Sequence, residues 1–202
     1  MKSTMELEKS SVDGIILAAG GGTRMRPLSY TIPKPMLPIC NKPLLVVLAN
    51  NMAKIGLNSI IIVVSPSNKN YVAEYLRKNP VSNEVPIKYA IQEEPLGTAH
   101  ALSKAEKLVE RDYAFVLAGD NFLHPQPMKD LINAHFISGS KVTIGLKKVL
   151  EREIFSLSSV LLNQKGFIEK IVEKPRKNEI LSLLAATSAY VMEKDFFRIL
   201  KN

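Results

Sequence analysis

The chain has 202 residues, 46% of them hydrophobic and 23% charged, a globular composition at a length that buries about 70% of the unfolded surface. The one cysteine, Cys40, excludes an internal disulfide, three scattered histidines do not suggest a zinc site, and no apolar run reaches the ~18 residues of a membrane helix. The net charge of +8 includes no long basic run, so it suits a solvated surface or a basic cleft for a small phosphorylated molecule better than nucleic acid.

The predicted elements follow a polar leader. Residues 1–12 lack a signal-peptide core, so we expect a short disordered leader, a location in the reducing cytosol, and one domain over residues 13–202. β-branched apolar runs predict strands, and apolar residues spaced three and four apart predict helices. In the first half these are strands 12–17, 59–64 and 87–92 and helices 43–55, 70–78 and 98–111, the last with Thr98 as N-cap.

The alternation of strands and helices continues and then changes after Lys147. The remaining predicted elements are strand 113–117 with a sharp turn at 118–120, helix 128–137, strand 142–146, hairpin strands 160–162 and 167–173, strand 187–192 and a short helix 195–200. This rhythm predicts an α/β fold with a doubly wound, mainly parallel, Rossmann-like sheet. The hairpin adds antiparallel strands in the second half.

A glycine cluster ends the first predicted strand. The run Leu17–Ala18–Ala19–Gly20–Gly21–Gly22–Thr23–Arg24 leaves three residues without a Cβ, so their N–H groups can converge on an anion. Gly-rich turns between a strand and a helix favour phosphate for this reason. The spacing matches neither the dinucleotide fingerprint nor the P-loop. Taken alone, the triple glycine suits a flexible turn equally well.

Basic residues follow the glycines. Arg24 and Arg26 come directly after them, and Lys34 stands between Pro33 and Pro35. The prolines stiffen an extended segment and hold the lysine stem, which a solvated surface lysine would not need. Fixed cations beside a bare glycine turn suit a polyphosphate, because they neutralise charge that develops at a phosphoryl centre and its leaving group.

Four motifs carry a family resemblance. The stretch LAAGGGTRMRPLSYTIPKPMLPICNKPLL, residues 17–45, closely resembles the signature of the sugar-1-phosphate nucleotidyltransferases, the enzymes that make nucleotide-sugars. QEEPLGTAHAL (92–102) is similar to the family's base- and sugar-binding loop, LAGDN (117–121) to its metal-binding turn, and VEKP (172–175) to its sugar-contacting segment. The motifs keep the family order over about residues 13–200.

The resemblance implies a role for each matched position. Arg24, Lys34 and Asp120 would be catalytic, with Lys34 bridging the phosphates of both substrates and Asp120 binding Mg²⁺. Gln92 would read the base edge. The full nucleotide-binding set is Leu17, Ala18, Ala19, Gly20, Gly21, Gly22, Thr23, Gln92, Gly97 and Thr98. The sugar-phosphate-binding set is Asn121, Glu173 and Lys174.

The implied reaction needs no general base. A sugar-1-phosphate oxygen attacks the α-phosphorus of a nucleoside triphosphate in line, and pyrophosphate leaves. The attacking monoester has a second pKa near ~6, so it is already ionised at neutral pH. Positioning and charge neutralisation, with Mg²⁺ as cofactor, then supply the rate. We expect no nucleic-acid or membrane partner, and the resemblance allows a homo-oligomer.

Substrate choice and even catalysis stay open at this point. The loop 92–102 favours dTTP or UTP with glucose-1-phosphate, whereas EEPLGTA together with Asn41–Lys42–Pro43 also resembles mannose-1-phosphate guanylyltransferases. Alternatives from other classes are a plain nucleotide-binding module and a non-catalytic regulatory subunit similar to those of the translation initiation exchange factor. The intact Gly22–Thr23–Arg24, Lys34 and Asp120 favour the enzyme.

The chain also departs from the family pattern. Members usually continue beyond the point that matches Asn202 and carry there a second Mg²⁺-binding aspartate in a Trp-x-Asp-x-Gly context, but this chain has no Trp. We therefore expect it to lack that C-terminal part, which would impair activity if the aspartate is required. Ser158 and Ser188 stand where glycines near the sugar are expected, which narrows the sugar pocket. Cys40 is expected to be buried and inert.

Overall fold

The computed structural model describes residues 11–82 and 85–201, so positions 1–10 of the predicted leader lie outside the described residues. The chain divides into two compact units, one formed by the residues up to Thr143 and from Val191 onward, the other by Ile144–Tyr190. Within the described ranges, no helix is long and apolar enough to cross a membrane. The assignment of residues 13–202 to one domain stays a prediction.

Strands and helices alternate over most of the described chain. The strands are β1 (Val12–Leu17), β2 (Pro38–Ile39), β3 (Lys42–Pro43), β4 (Ile60–Val64), β5 (Ile87–Ile91), β6 (Tyr113–Ala118), β7 (Val142–Lys148), β8 (Ser158–Leu162), β9 (Ile168–Glu173) and β10 (Leu184–Glu193). The α-helices are α1 (Leu44–Lys54), α2 (Pro66–Lys78), α3 (Thr98–Ala105), α4 (Pro125–Ser138) and α5 (Glu151–Ile154). Short 3₁₀-helices include Thr23–Met25, Leu28–Tyr30, Lys34–Met36 and Lys194–Lys201.

The main sheet is parallel through its centre. β1 pairs with β4 on one side and β6 on the other, β4 pairs with β5, and the six-stranded sheet continues beyond β6 with β10 and β7. Every residue of β4 is fully buried, as expected for a strand covered on both faces. In the second unit β8 and β9 form an antiparallel hairpin. The prediction of a doubly wound, mainly parallel sheet with added antiparallel strands is confirmed.

The predicted helix 98–111 is too long, and its N-cap is wrong. α3 ends at Ala105 and passes into a 3₁₀-helix over Glu106–Leu108, after which the N–H groups of Glu110 and Arg111 donate to the carboxylate of Asp13 rather than to helix carbonyls. The N-cap is Gly97 rather than Thr98, and Gly97 has a φ of 99°, a conformation that glycine adopts without strain.

The prediction that Cys40 is buried is also wrong, because Cys40 is exposed. It lies with Asn41 in the two-residue turn that joins β2 and β3, and these residues have φ values of 49° and 64°. Positive φ at both central positions is the geometry of tight hairpin turns, whose side chains face solvent at the tip. The position of Cys40 in the tight turn, rather than its side-chain type, decides its exposure.

A fully buried carboxylate on β1 binds residues that precede β4 and β6. Asp13 on β1 accepts hydrogen bonds from the side chains of Asn58 and Ser59 at 2.8 and 2.7 Å, and from the backbone N–H groups of Glu110 and Arg111 at 2.7 and 2.9 Å. Burial alone would raise the pKa of Asp13, but these four donors outweigh it and hold that pKa below its ordinary value.

Asp13→Asn is expected to lower the free energy of unfolding at pH 7 by about 3–5 kcal/mol, because an amide nitrogen would face buried donors. The ionised Asp13 stabilises the fold above the ordinary carboxyl pKa, and this contribution is lost as pH falls through the depressed folded pKa. Urea unfolding should therefore show the gap between parent and variant closing below about pH 4. A gap that does not change with pH would contradict the role given to the charge.

Candidate active site

Two neighbouring parallel strands bring the candidate residues to one edge of the sheet. Leu17 at the end of β1 lies in register with Ala118 at the end of β6, and the Gly119 N–H donates to the Leu17 carbonyl at 2.8 Å. From β1 the chain continues to one side of the sheet and later crosses to β6 on the other side. Open α/β sheets bind ligands at such a switch point, outside the carboxyl ends of the strands.

The fold requires glycine at position 119, which the sequence analysis did not predict. A Cβ on this residue would lie 2.9 Å from the Leu17 carbonyl oxygen, a distance that forces the backbone to shift. Glycine therefore allows the turn before Asp120 to lie against β1. The signal was present, since a glycine directly precedes the candidate metal ligand, but the sequence does not show which backbone atom comes close.

The three glycines of the first turn have different reasons to be glycine. Gly22 has a φ of 60°, and a Cβ there would lie 3.0 Å from the Lys34 Cβ. Because Gly22 has no side chain, the segment that carries Lys34 can approach it closely. At Gly20 and Gly21 a Cβ would meet nothing within 4 Å. Nothing in the fold thus requires glycine at these two positions. The 3₁₀-helix Thr23–Met25 follows, and Arg24 belongs to it by its backbone, while its side chain lies outside the described part of the structure.

Gly21→Ala is expected to leave thermal stability unchanged or slightly higher, because the added methyl meets open space and the unfolded chain loses freedom. The same methyl would stand where the bare turn can receive an anion, so the KM for a nucleoside triphosphate should rise about tenfold to a hundredfold. The matched control is Gly14→Ala in β1, whose Cβ would meet Leu57 and Met52 at 3.0 Å. That control should lose stability instead, and a Gly21→Ala variant that behaves like it would contradict the assignment.

Lys34 is held on a short, anchored support. It begins the 3₁₀-helix Lys34–Met36, where Pro35 and Met36 are buried, and Pro33 enters that helix in an extended conformation. The Lys34 ammonium donates to a carboxylate oxygen of Asp120, which lies 86 positions further along the chain. The side chains of Lys34 and Asp120 are 30% and 48% exposed to solvent, so both are accessible to a ligand.

A polar cleft surrounds this ion pair. The glycine cleft, as we name it, has a volume of about 330 Å³ and includes Gly20, Gly21, Gly22, Lys34, Gly119 and Asp120 in its lining. It therefore joins backbone N–H groups, one ammonium and one carboxylate around a single space. Such a set can bind a polyphosphate and neutralise charge that develops on it.

A second cleft of about 430 Å³ adjoins the first and shares Gly20, Gly21 and Lys34 with it. This glutamine cleft also includes Gln92, which is 6% exposed. The Gln92 Nε2 lies 3.1 Å from the Gly97 carbonyl oxygen and 3.1 Å from the His100 Nδ1. Because the protein engages the amide nitrogen, Gln92 can meet a ligand through its carbonyl oxygen, as an acceptor.

His100 lies next to Gln92, a contact that the sequence analysis did not predict. Its Nδ1 lies 3.1 Å from the Gln92 amide nitrogen and 3.0 Å from the Glu94 carbonyl oxygen, and the ring tautomer decides which of them it bonds. Without a proton Nδ1 accepts from Gln92 and orients it, whereas with a proton it donates to Glu94 and holds the loop that follows β5. The only sequence signal was a spacing of eight residues between a strand end and the first turn of a helix, which does not by itself predict contact.

A buried amide supports the segment that follows Asp120. Asn51 on α1 is 7% exposed and donates to the Leu123 carbonyl at 3.0 Å. The Asn121 N–H donates to the Ala118 carbonyl at 3.1 Å and closes the turn. The chain on both sides of Asp120 is therefore fixed, although Asp120 itself is half exposed.

The remaining candidates, Glu173 and Lys174, belong to the second unit. Glu173 ends β9 opposite Ser158, and Lys174 has a φ of 47° with its N–H donating to the Leu157 carbonyl at 2.6 Å. Burial, and next the charge of Glu173, raise the pKa of Tyr190, which places that carboxylate near the phenol. A left-handed residue other than glycine is strained, and such strain concentrates at functional sites.

The donor set near Asp120 is compatible with Mg²⁺ but not with a metal held by protein alone. Within residues 11–82 and 85–201, no three His, Cys, Asp or Glu side chains come together as a metal site. Mg²⁺ is commonly held by one or two carboxylates together with substrate phosphates and water. A single exposed carboxylate next to an anion-binding turn fits that manner of binding.

Comparisons with known proteins agree with this arrangement. The family model of the nucleotidyl transferases matches residues 13–202. A mannose-1-phosphate guanyltransferase 2 of Candida glabrata is 32% identical over 165 residues, covering 81% of this chain and 45% of that protein. A mannose-1-phosphate guanyltransferase of Debaryomyces hansenii is 35% identical over 164 residues, covering 80% of this chain and 45% of that protein.

A solved structure shows the same fold. UDP-glucose pyrophosphorylase complexed with UDP-glucose superimposes with a TM-score of 0.80 at 23% identity, covering 94% of this chain and 79% of that chain. The chain spans about 45% of the length of the two curated relatives. From the family match over residues 13–202, we conclude that the chain belongs to the nucleotidyl transferase family.

Proposed function

We propose that this chain transfers a nucleotidyl group from a nucleoside triphosphate to a sugar-1-phosphate, giving a nucleotide-sugar and pyrophosphate. The observation that carries the proposal is the convergence of the glycine turn, Lys34 and Asp120 around one cleft. An anion-binding turn, a fixed ammonium and a metal-binding carboxylate are the groups that in-line substitution at phosphorus requires. The intact set also favours an enzyme over a non-catalytic regulatory subunit or a plain binding module.

The phosphates would lie in the glycine cleft. Backbone N–H groups of residues 20–22, with Thr23 and Arg24, would hold the triphosphate. Lys34 would exchange its contact with Asp120 for phosphate oxygens of the two substrates and neutralise the charge that builds on pyrophosphate as it leaves. The sugar phosphate attacks as its own dianion, so no side chain has to remove a proton.

Asp120 would hold Mg²⁺ together with the nucleotide. The bound ion would supply charge neutralisation on the phosphates. Glu173 would accept hydrogen bonds from sugar hydroxyls, Lys174 would bind the sugar phosphate, and Asn121 would assist it. These roles follow the family motifs, as do a cytoplasmic location and a homo-oligomer, which stay predictions.

The base is proposed to lie in the glutamine cleft, where Gln92 accepts from a base N–H and Gly97 and Thr98 close over the nucleoside. Leu17, Ala18 and Ala19 would contact it through backbone groups. We favour GTP with mannose-1-phosphate, because the curated relatives at 32–35% identity are mannose-1-phosphate guanyltransferases. The second candidate is dTTP or UTP with glucose-1-phosphate, which the sequence of the loop 92–102 favours.

Pyrophosphate release tests the proposal and separates the candidates. The protein is incubated with Mg²⁺, either mannose-1-phosphate or glucose-1-phosphate, and GTP, UTP, dTTP, ATP or CTP in turn, and products are identified by mass. GDP-mannose is the expected product, and UDP- or dTDP-glucose would select the second candidate. Nucleotide binding without a product from any of the ten pairs would support the non-catalytic alternatives.

A further inference from the structure

Tyr71 presents an aromatic ring to the glutamine cleft. It lies on α2 and is 45% exposed, and Ser67 and Asn68 on the same helix also line the cleft. Residues three and four positions apart share one face of a helix, so these three side chains form a single wall. Val72 and Leu76 are buried and hold α2 against the core. The ring is therefore carried on a fixed support.

The Tyr71 ring stacks on no other ring in the part of the chain that the structure describes. Among residues 11–82 and 85–201, no ring contact or cation–π contact involves Tyr71. The other tyrosine that lines the cleft, Tyr30, is 70% exposed and has the Arg26 guanidinium 5.2 Å from its ring centroid. Of the two rings, Tyr71 is thus the one whose faces stay open to a ligand.

The surroundings define what the ring can bind. The cleft has ligand size at about 430 Å³, and it shares Gly20, Gly21 and Lys34 with the glycine cleft. Gln92 also lines the cleft and offers an acceptor oxygen, because its amide nitrogen donates to the Gly97 carbonyl. A flat molecule with an N–H on its edge and a phosphate chain attached would meet all three groups. A nucleobase within a nucleotide has this chemistry.

We infer that Tyr71 is the stacking surface for the nucleobase and that it makes the cleft favour purines over pyrimidines. The inference rests on the proposed function, because it takes the nucleotide to bind across the two clefts. A fused two-ring base covers more of the tyrosine ring than a single-ring base does. Stacking of a base on an aromatic side chain changes affinity by about 5- to 150-fold. The larger overlap of a two-ring base removes more apolar area from water.

The test is calorimetric binding of GTP, UTP and inorganic tripolyphosphate, each with Mg²⁺ and without sugar phosphate. Tyr71→Ala should weaken GTP binding at least about fivefold and UTP binding less, while tripolyphosphate binding stays the same. Tyr71→Phe keeps the ring and should restore GTP affinity. Tyr75→Ala is the matched control, since Tyr75 lies one turn further along α2 and does not line either cleft.

Each other outcome overturns the inference in a distinct way. Unchanged GTP affinity in Tyr71→Ala would remove the stacking role while leaving the proposed function in place. Equal losses for all three ligands, without rescue by Tyr71→Phe, would give the residue a structural role only. If the unmodified protein bound tripolyphosphate but neither nucleotide, both the inference and the proposed function would fall.

Discussion

Under the proposed function, Lys34→Met is expected to lower kcat by about 10²–10³, because the ammonium lies beside the glycine turn and would neutralise charge that grows in the transition state. Methionine keeps most of the length of the lysine stem. The lost contact with Asp120 is an exposed ion pair, so the free energy of unfolding should change by less than about 1 kcal/mol. Steady-state pyrophosphate release and urea unfolding measure the two quantities.

The matched control for that experiment is Lys54→Met. Lys54 is exposed at the end of α1 and lines neither cleft. Lys54→Met should leave both kcat and the free energy of unfolding unchanged. The comparison shows whether an effect of Lys34→Met comes from the place of Lys34 in the cleft or only from the loss of one positive charge. If Lys34→Met kept the parental kcat, the lysine would be a surface partner of Asp120 and nothing more.

Asp120→Asn is expected to lower kcat/KM by about 10²–10³ as well, with a raised requirement for Mg²⁺, because an amide is a poor ligand for this ion. Asparagine has the shape of aspartate, so the turn closed by Gly119 and Asn121 should persist. Asp130→Asn on the exposed side of α4 is the control for a lost carboxylate. Pyrophosphate release titrated with Mg²⁺ gives the readout, and a parental titration curve would remove Asp120 from the metal site.

The two variants should not act independently. Lys34 and Asp120 contact each other, and under the proposed function they bind the same phosphates, so the double variant should lose much less than the product of the single losses. Fully multiplicative losses would mean that the two residues serve separate steps.

The sequence predicted the parts of the fold that depend on local pattern. The run of β-branched residues in β4 has no polar position, and such a strand has to be covered on both faces. The glycines after β1 and the Gly119–Asp120 turn after β6 follow strands that lie side by side, so parallel pairing brings them together. The sequence predicted each turn separately, whereas the pairing of β1 with β6 that joins them in one cleft is seen only in the structure.

What the sequence did not predict depends on contacts between distant positions. The predicted helix could not include residues 110 and 111, because their N–H groups donate to Asp13, which lies almost a hundred residues earlier in the chain. Gln92 is expected to read the base edge, and that stays a prediction, but the sequence did not show that its amide nitrogen donates to the Gly97 carbonyl. Periodicity reports which face of an element is buried, and it does not report which donor meets which acceptor.

The most direct test of the central claim follows the phosphorus atoms through the reaction. The protein is given GTP labelled at the α-phosphorus or, separately, at the γ-phosphorus, with mannose-1-phosphate and Mg²⁺. The account expects the α-label in GDP-mannose and the γ-label in pyrophosphate, both only when the sugar phosphate is present. Transfer of the γ-label to the sugar, or pyrophosphate release that does not depend on the sugar phosphate, would contradict it.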